Sequence, residues 1–103
     1  MQTHPASRIE IIIETPALRA LSRQLDRAGV TGYTVLPVLG GQGRTGPWTQ
    51  EGEISAAGGM VAVLAVVAPE RAEQVLESVF EVVSRQIGLV SVSECRVVRP
   101  ERV

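Results

Sequence analysis

The chain is most tightly constrained by its hydrophobic period, which switches from two residues to about 3.6 and back, twice. Arg8 to Glu14 reads Arg-Ile-Glu-Ile-Ile-Ile-Glu. Ile9, Ile11 and Ile13 therefore share one face of a strand, and Glu10, Ile12 and Glu14 share the other. An isoleucine among carboxylates implies that this second face meets another surface or a ligand. Thr15-Pro16 supplies an N-cap followed by proline at the first helical position, and Leu18, Leu21, Leu25 and Ala28 then recur at helical spacing until Gly29. A second strand is expected over Tyr33 to Leu39, with Pro37 at an edge or bulge because proline cannot donate to a ladder.

From Gly40 to Gly59 neither period is present, and the composition shifts to Gly, Gln, Thr, Ser and Pro around Trp48. Connections of this length in a compact domain are functional or disordered. Met60 to Val67 is apolar on both faces, which predicts a central strand covered on both sides. Pro69-Glu70 opens a second helix. Its apolar stripe is Ala72, Val75, Leu76, Val79, Phe80, Val83 and Ile87, its polar side is Glu73, Glu77 and Glu81, and Gly88 is expected to end it. Leu89 to Arg99 reads as the fourth strand, closed by Pro100. Strand, helix, strand, strand, helix, strand is the order of a ferredoxin-like α+β fold, βαββαβ, in which two helices cover one face of an antiparallel four-stranded sheet. At 103 residues, a single domain over 1–103 accounts for the chain.

Charge and special residues exclude several functions. A net charge of −1 and a pI near 5.8 provide no field for nucleic acid or an acidic membrane surface. The third strand has no aromatic residue on which RNA bases would stack. Met60 to Ala68, the longest apolar run, falls short of the roughly 20 residues a membrane-spanning helix needs, so no membrane insertion is expected. Cys95 is the single cysteine, and no charged segment followed by an apolar run opens the chain, so a cytoplasmic address is expected. His4, the one histidine, lies near the N-terminus, and no Ser-His-Asp set or other catalytic group is assigned. Cys95 reads as a small hydrophobe, Glu51 and Glu53 as solvated loop carboxylates, and no metal site is expected.

The chemistry concentrates at the base of the long loop. In Gly40-Gly41-Gln42-Gly43-Arg44, glycines permit positive φ, so successive N–H groups can converge on an anion beside a guanidinium. The run lacks the Gly-Lys-Ser/Thr of a Walker sequence, and glycines ahead of a loop also serve simply to turn the chain. Trp48, an indole in a polar loop, marks a contact with a protein partner.

Gly29-Val30-Thr31-Gly32-Tyr33-Thr34-Val35 followed by Gly40-Gly41-Gln42-Gly43-Arg44 resembles the PII signalling superfamily. In that superfamily a Gly-x-x-Gly-x-Thr-Val segment precedes a glycine-rich stretch that opens the T-loop, here about residues 42–57. The likeness covers nearly the whole chain after residue 7. The Gly-Tyr-Thr-Val and Gly-Gly-x-Gly forms are similar to those of PII-like proteins linked to inorganic-carbon uptake, among them carboxysome-associated members and the partner of a bicarbonate transporter. The resemblance implies a homotrimer with adenine nucleotides in clefts between subunits. It also implies a T-loop that carries the state of the cleft to a bicarbonate transporter or a carbon-fixation component, with association at carboxysomes.

Carried over residue by residue, it implies that Thr34 faces the adenine and that Ile12 and Val66 wall the pocket. Gly40, Gly41, Gln42 and Gly43 would cradle ribose and phosphates with Arg44, and Gly88 would belong to the nucleotide loop. Arg96 and Arg99 would reach phosphates from the adjacent chain, where a guanidinium fork suits the geometry. Bicarbonate would be held by Gln42, Gly43 and Arg44.

The chain departs from nitrogen-regulating PII proteins where those carry Gly-Asp-Gly-Lys and this one has Gln86-Ile87-Gly88-Leu89-Val90. With no lysine anywhere to anchor a triphosphate, ADP, AMP or a cyclic nucleotide is expected in preference to ATP. Leu64 stands where those proteins have an acidic residue, and the T-loop has no tyrosine, so 2-oxoglutarate sensing and tyrosine modification are not expected. A slow adenylate hydrolase using Mg²⁺ and a structural or metal-tolerance trimer are the competing functions.

Overall fold

The computed structural model describes residues 1–43, 46–49 and 59–103, with Trp48 and Thr49 described by their backbone alone. Its elements are β1 (His4–Glu14), α1 (Leu18–Arg27), β2 (Thr34–Pro37), β3 (Gly40–Gly43), β4 (Gly46–Thr49), β5 (Met60–Val67), α2 (Ala72–Val83) and β6 (Gly88–Val97). Short 3-10 turns at Thr15–Ala17 and Pro69–Arg71 precede the helices, each with proline at a position whose N–H the helix would leave unpaired. The main sheet runs β2-β5-β1-β6, every pair antiparallel, and β3 with β4 forms a separate two-stranded hairpin.

The core lies where the alternation of β1 places it. Ile9, Ile11 and Ile13 pair with Ala65, Val63 and Val61 of β5 and are wholly buried together with Leu21 and Leu25 of α1 and Val75 and Val79 of α2. Each such side chain contributes about 1.5–3 kcal/mol of burial, which holds both helices to one face of the sheet. On the opposite face Arg8, Glu10, Ile12 and Glu14 stand beside Met60, Ala62, Leu64 and Val66, all only partly buried. β5 is thus central but covered on one side within a single chain. The cover expected for its second face does not come from its own helices.

Several boundaries differ from those expected. Thr15 caps no helix. Its N–H donates to the Gly59 carbonyl at 3.0 Å, where the long loop returns, and no side chain caps α1. Gly29 ends α1 at φ 77°, and Arg71 donates to the carbonyls of Ala28 and of Gly29, the latter at 3.2 Å. α2 stops at Val83, where the N–H groups of Arg85 and Gln86 turn back to Val82 and Val83, so Gly88 opens β6 rather than ending the helix. Phe80 is 65% exposed and Ile87 73%, so neither belongs to the core. β6 stops at Val97, leaving Arg99 outside the strand. β2 stops at Pro37, and the segment expected to be an unpaired loop contains the β3–β4 hairpin.

Candidate functional site

The open sheet face carries two groups of candidate residues, at opposite ends of its strands. At the first, Thr34 of edge strand β2 faces Leu64, and Val66 faces Arg8. These residues, with Tyr33 and Arg102, line a cleft of about 450 Å³. Leu64 and Val66 give it an apolar wall, and the charged side chains that line it are two guanidiniums. Arg8 Nη2 donates to Glu10 Oε2 at 3.1 Å with both side chains partly exposed, while Arg102 has no ion-pair partner among the described residues. Apolar walls beside guanidiniums suit a flat heterocycle bearing an anionic tail.

At the second end, Ile12 lies between Ala62 and Leu89, and β6 begins at Gly88 beside Ile13. The approach there is so close that a Cβ on Gly88 would stand 2.5 Å from the Ile12 carbonyl oxygen, which only glycine avoids. Glu14 Oε1 accepts the Ile87 N–H at 3.1 Å and so ties the segment ahead of β6 to the end of β1. β2 leaves the sheet at this same end, since Pro37 and Ile13 both pair with Val61, and it leads into the β3–β4 hairpin.

The geometry of the glycine run is not that of an anion nest. Gly40 to Gly43 is an extended strand paired with Gly46–Thr49, and none of its residues has positive φ. Amides on a strand alternate in direction and do not converge on one anion. Gln42 and Gly43 face Pro47 and Gly46 in that ladder.

The expected site residues thus fall into two clusters. Thr34 and Val66 share the cleft, Ile12 and Gly88 lie at the other end of the strands, and from that end β2 leads into the strand Gly40–Gly43. Arg96 joins neither. It has the parity of core-packed Val90, which turns it to the helix side, and its Nε and Nη2 donate to Thr3 Oγ1 and the Thr3 carbonyl at 2.6 and 3.0 Å. Arg99 lies 3.6 Å from a Glu101 carboxylate oxygen at the exposed surface. Arg44 and most of the 42–57 loop fall outside the described residues, and Trp48 is placed only by its backbone, opposite Gly41 on β4. Arg8, Tyr33 and Arg102 are cleft residues that the sequence reading does not single out. Arg8 was discoverable, because it shares the even-numbered face of Ile12. Arg102 was not, because its placement depends on the turn Pro100–Arg102 after β6.

Among the described residues no group of three His, Cys, Asp or Glu side chains is placed to hold a metal ion, and no helix is long and apolar enough to cross a membrane. The family model of nitrogen regulatory protein P-II matches residues 6–102. Among solved structures, CPII, a nitrogen regulatory PII-like protein from Thiomonas intermedia bound to ADP, AMP and bicarbonate, superposes with a TM-score of 0.86 at 29% identity, over 98% of this chain and 95% of that one. The same protein bound to ADP and bicarbonate gives 0.82 at 31% identity, over 98% and 96%. A PII-like signalling protein from Thermus thermophilus, at 23% identity, shares the fold with a TM-score of 0.79 over 99% and 98% of the two chains. No curated protein matches the chain by sequence.

Proposed function

The chain belongs to the nitrogen regulatory protein P-II family, and from that membership we propose that it is a PII-like signalling protein, a homotrimer that holds ADP or AMP between adjacent subunits. The observation that carries this is the division of the site. One end of the open face offers the apolar cleft with Arg8 and Arg102, and the other offers Ile12 beside Leu89, with the backbone of Gly88 next to them at the strand end and β2 leading from there into the glycine-rich hairpin. Two half-sites at opposite ends of one sheet face become one site when the first of one subunit meets the second of its neighbour. Assembly also supplies what the sheet lacks, because a partly buried face carrying Ile12, Ala62, Leu64 and Val66 needs a second layer.

Within that site Thr34, Tyr33 and Val66 hold the base, and Arg102 with Arg8 meets the phosphates. Bicarbonate binds beside the nucleotide at Gln42, Gly43 and Arg44, through the side-chain donors of Gln42 and Arg44 rather than converging strand amides, and the T-loop carries the occupancy to a component of inorganic-carbon uptake or fixation in the cytoplasm. The CPII structures with ADP, AMP and bicarbonate, at 29% and 31% identity, support the choice of ligands. The missing lysine supports the preference for ADP or AMP over ATP.

Thermal melting against AMP, ADP, ATP and bicarbonate, together with sedimentation equilibrium, tests the proposal. Ligand at 100 times its Kd stabilises the native state by about 2.7 kcal/mol. AMP and ADP are expected to raise the midpoint, and Thr34→Val with Arg102→Gln to abolish the rise. A monomer, or a trimer whose melting no adenine nucleotide changes, refutes the proposal.

A further inference from the structure

The segment that turns α2 into β6 is held by a charge of unusual sign for a phosphate site. Glu14, the last residue of β1, extends its carboxylate across the sheet end and accepts the Ile87 N–H at 3.1 Å. The next residue, Gly88, packs against the Ile12 backbone without room for a side chain. Thr15, which follows Glu14, anchors the return of the long loop through its N–H to the Gly59 carbonyl at 3.0 Å. Glu14 therefore stands between the Gly88 segment and the base of the loop, on the face where Ile12 is found. Gln86 to Val90 contains no basic residue to offset it.

A backbone amide at the start of such a segment is the donor that an anionic oxygen would use, and here a carboxylate already occupies it. The occupant also carries a negative charge, which repels every further anionic group brought alongside. Each added phosphoryl group of a nucleotide raises that repulsion, so discrimination grows with chain length. A missing cation leaves a triphosphate unassisted. A carboxylate fixed on the amide opposes it actively.

We infer that Glu14 is the specificity-determining residue for phosphate-chain length, an internal anion that takes the Ile87 amide and selects nucleoside mono- and diphosphates against triphosphates. This rests on the intersubunit nucleotide site proposed above, with the Gly88 end facing the phosphates. It adds a residue that the resemblance does not supply and that the lack of lysine does not imply.

Calorimetric titration of the intact protein with AMP, ADP and ATP gives the affinity ratios that decide the matter. Glu14→Gln keeps an acceptor oxygen for the amide and removes the charge. The ATP-to-AMP affinity ratio is expected to rise about tenfold, as a change of about 1.4 kcal/mol dictates. Glu14→Asp, which keeps the charge and shortens the side chain, is expected to leave ATP the weaker ligand. Should Glu14→Gln not fold, Glu14→Ala removes charge and acceptor together, and the same rise is expected. A ratio unmoved by loss of the carboxylate, in protein that still binds AMP and ADP, overturns the inference and leaves the nucleotide site standing. Wild-type protein that binds no adenine nucleotide overturns both.

Discussion

Replacing Gly88 by alanine isolates the backbone contact on which the Ile12 end of the site depends. A Cβ at this position would lie 2.5 Å from the Ile12 carbonyl oxygen, 3.0 Å from Ile13 Cγ2 and 3.4 Å from Ile13 Cα. The nearest of these is a backbone atom in a paired strand, which no rotamer change can move. The start of β6 must therefore shift away from β1, where Gly88 pairs with Ile13. Gly→Ala substitutions at compatible positions stabilise by about 0.4–1 kcal/mol through the unfolded chain. Forcing an extra methyl group into a filled space costs about 1–3 kcal/mol. The net is a loss of up to about 2.6 kcal/mol, and each 1 kcal/mol lowers the midpoint by about 4–8 °C in a domain of this size. Gly32 is the internal control, because it has ordinary backbone angles and nothing within 4 Å of a built Cβ. Gly32→Ala is expected to raise stability by about 0.4–1 kcal/mol. Opposite signs should appear in melts at matched protomer concentration, since assembly makes the midpoint concentration-dependent. Gly88→Ala protein that melts at or above the wild-type temperature refutes the steric account. In the destabilised variant the Ile87 amide is expected to exchange with deuterium faster, because its bond to Glu14 lies one residue from the displaced strand.

Arg71→Met keeps the aliphatic stem but removes the donors to the Ala28 and Gly29 carbonyls, and a loss of about 1 kcal/mol is expected in urea denaturation. Gly29→Ala combines a left-handed φ of 77° with a Cβ 3.0 Å from the Arg71 guanidinium and should cost at least about 1 kcal/mol by the same assay. Ile11→Ala, at a wholly buried position in the central strand, is expected to lose about 2–5 kcal/mol, measured as a lower denaturation midpoint. Arg102→Gln removes one of the two guanidiniums of the cleft and is expected to weaken AMP and ADP several-fold in titration, with an unchanged melting midpoint in the absence of ligand.

The fold was legible wherever a side chain declares its face. The alternation of Ile9, Ile11 and Ile13 placed the core face of β1, Met60 to Val67 matched β5 residue for residue, and Gly29 marked the end of α1. The errors arise where that signal is absent or ambiguous. Gly40 to Gly43 has almost no side chains to carry a period, so its pairing with β4 is invisible before backbone geometry is known. Phe80 continues the helical stripe of Val75 and Val79, yet with Leu76, Val90 and Val92 it lines a surface groove of about 380 Å³ instead of filling the core. A periodic pattern reports that a face is apolar and not whether the chain's own sheet covers it.

The same limit applies to the site, where the sequence nominates residues by their chemistry but does not say which of them share a space. Thr34 and Val66 fall together only because β2 and Arg8 flank β5 in one register. A one-residue slip of β5 against β1 would have sent Val66 and Leu64 to the helices, and one of β2 against β5 would have turned Thr34 away, since strand side chains alternate faces. Arg96 illustrates the converse: its charge suits a phosphate, but its parity in β6 turns it to the helix side, where it is committed to Thr3. Arg8 has the right parity and opens the alternating run, so it is the arginine that register would have nominated. Charge identifies candidates, and register decides among them. Among the described residues, the cations at the cleft on this face are Arg8 and Arg102 of the C-terminal turn, and exchanging Arg8 for glutamine should weaken AMP binding where Arg96→Gln leaves it intact.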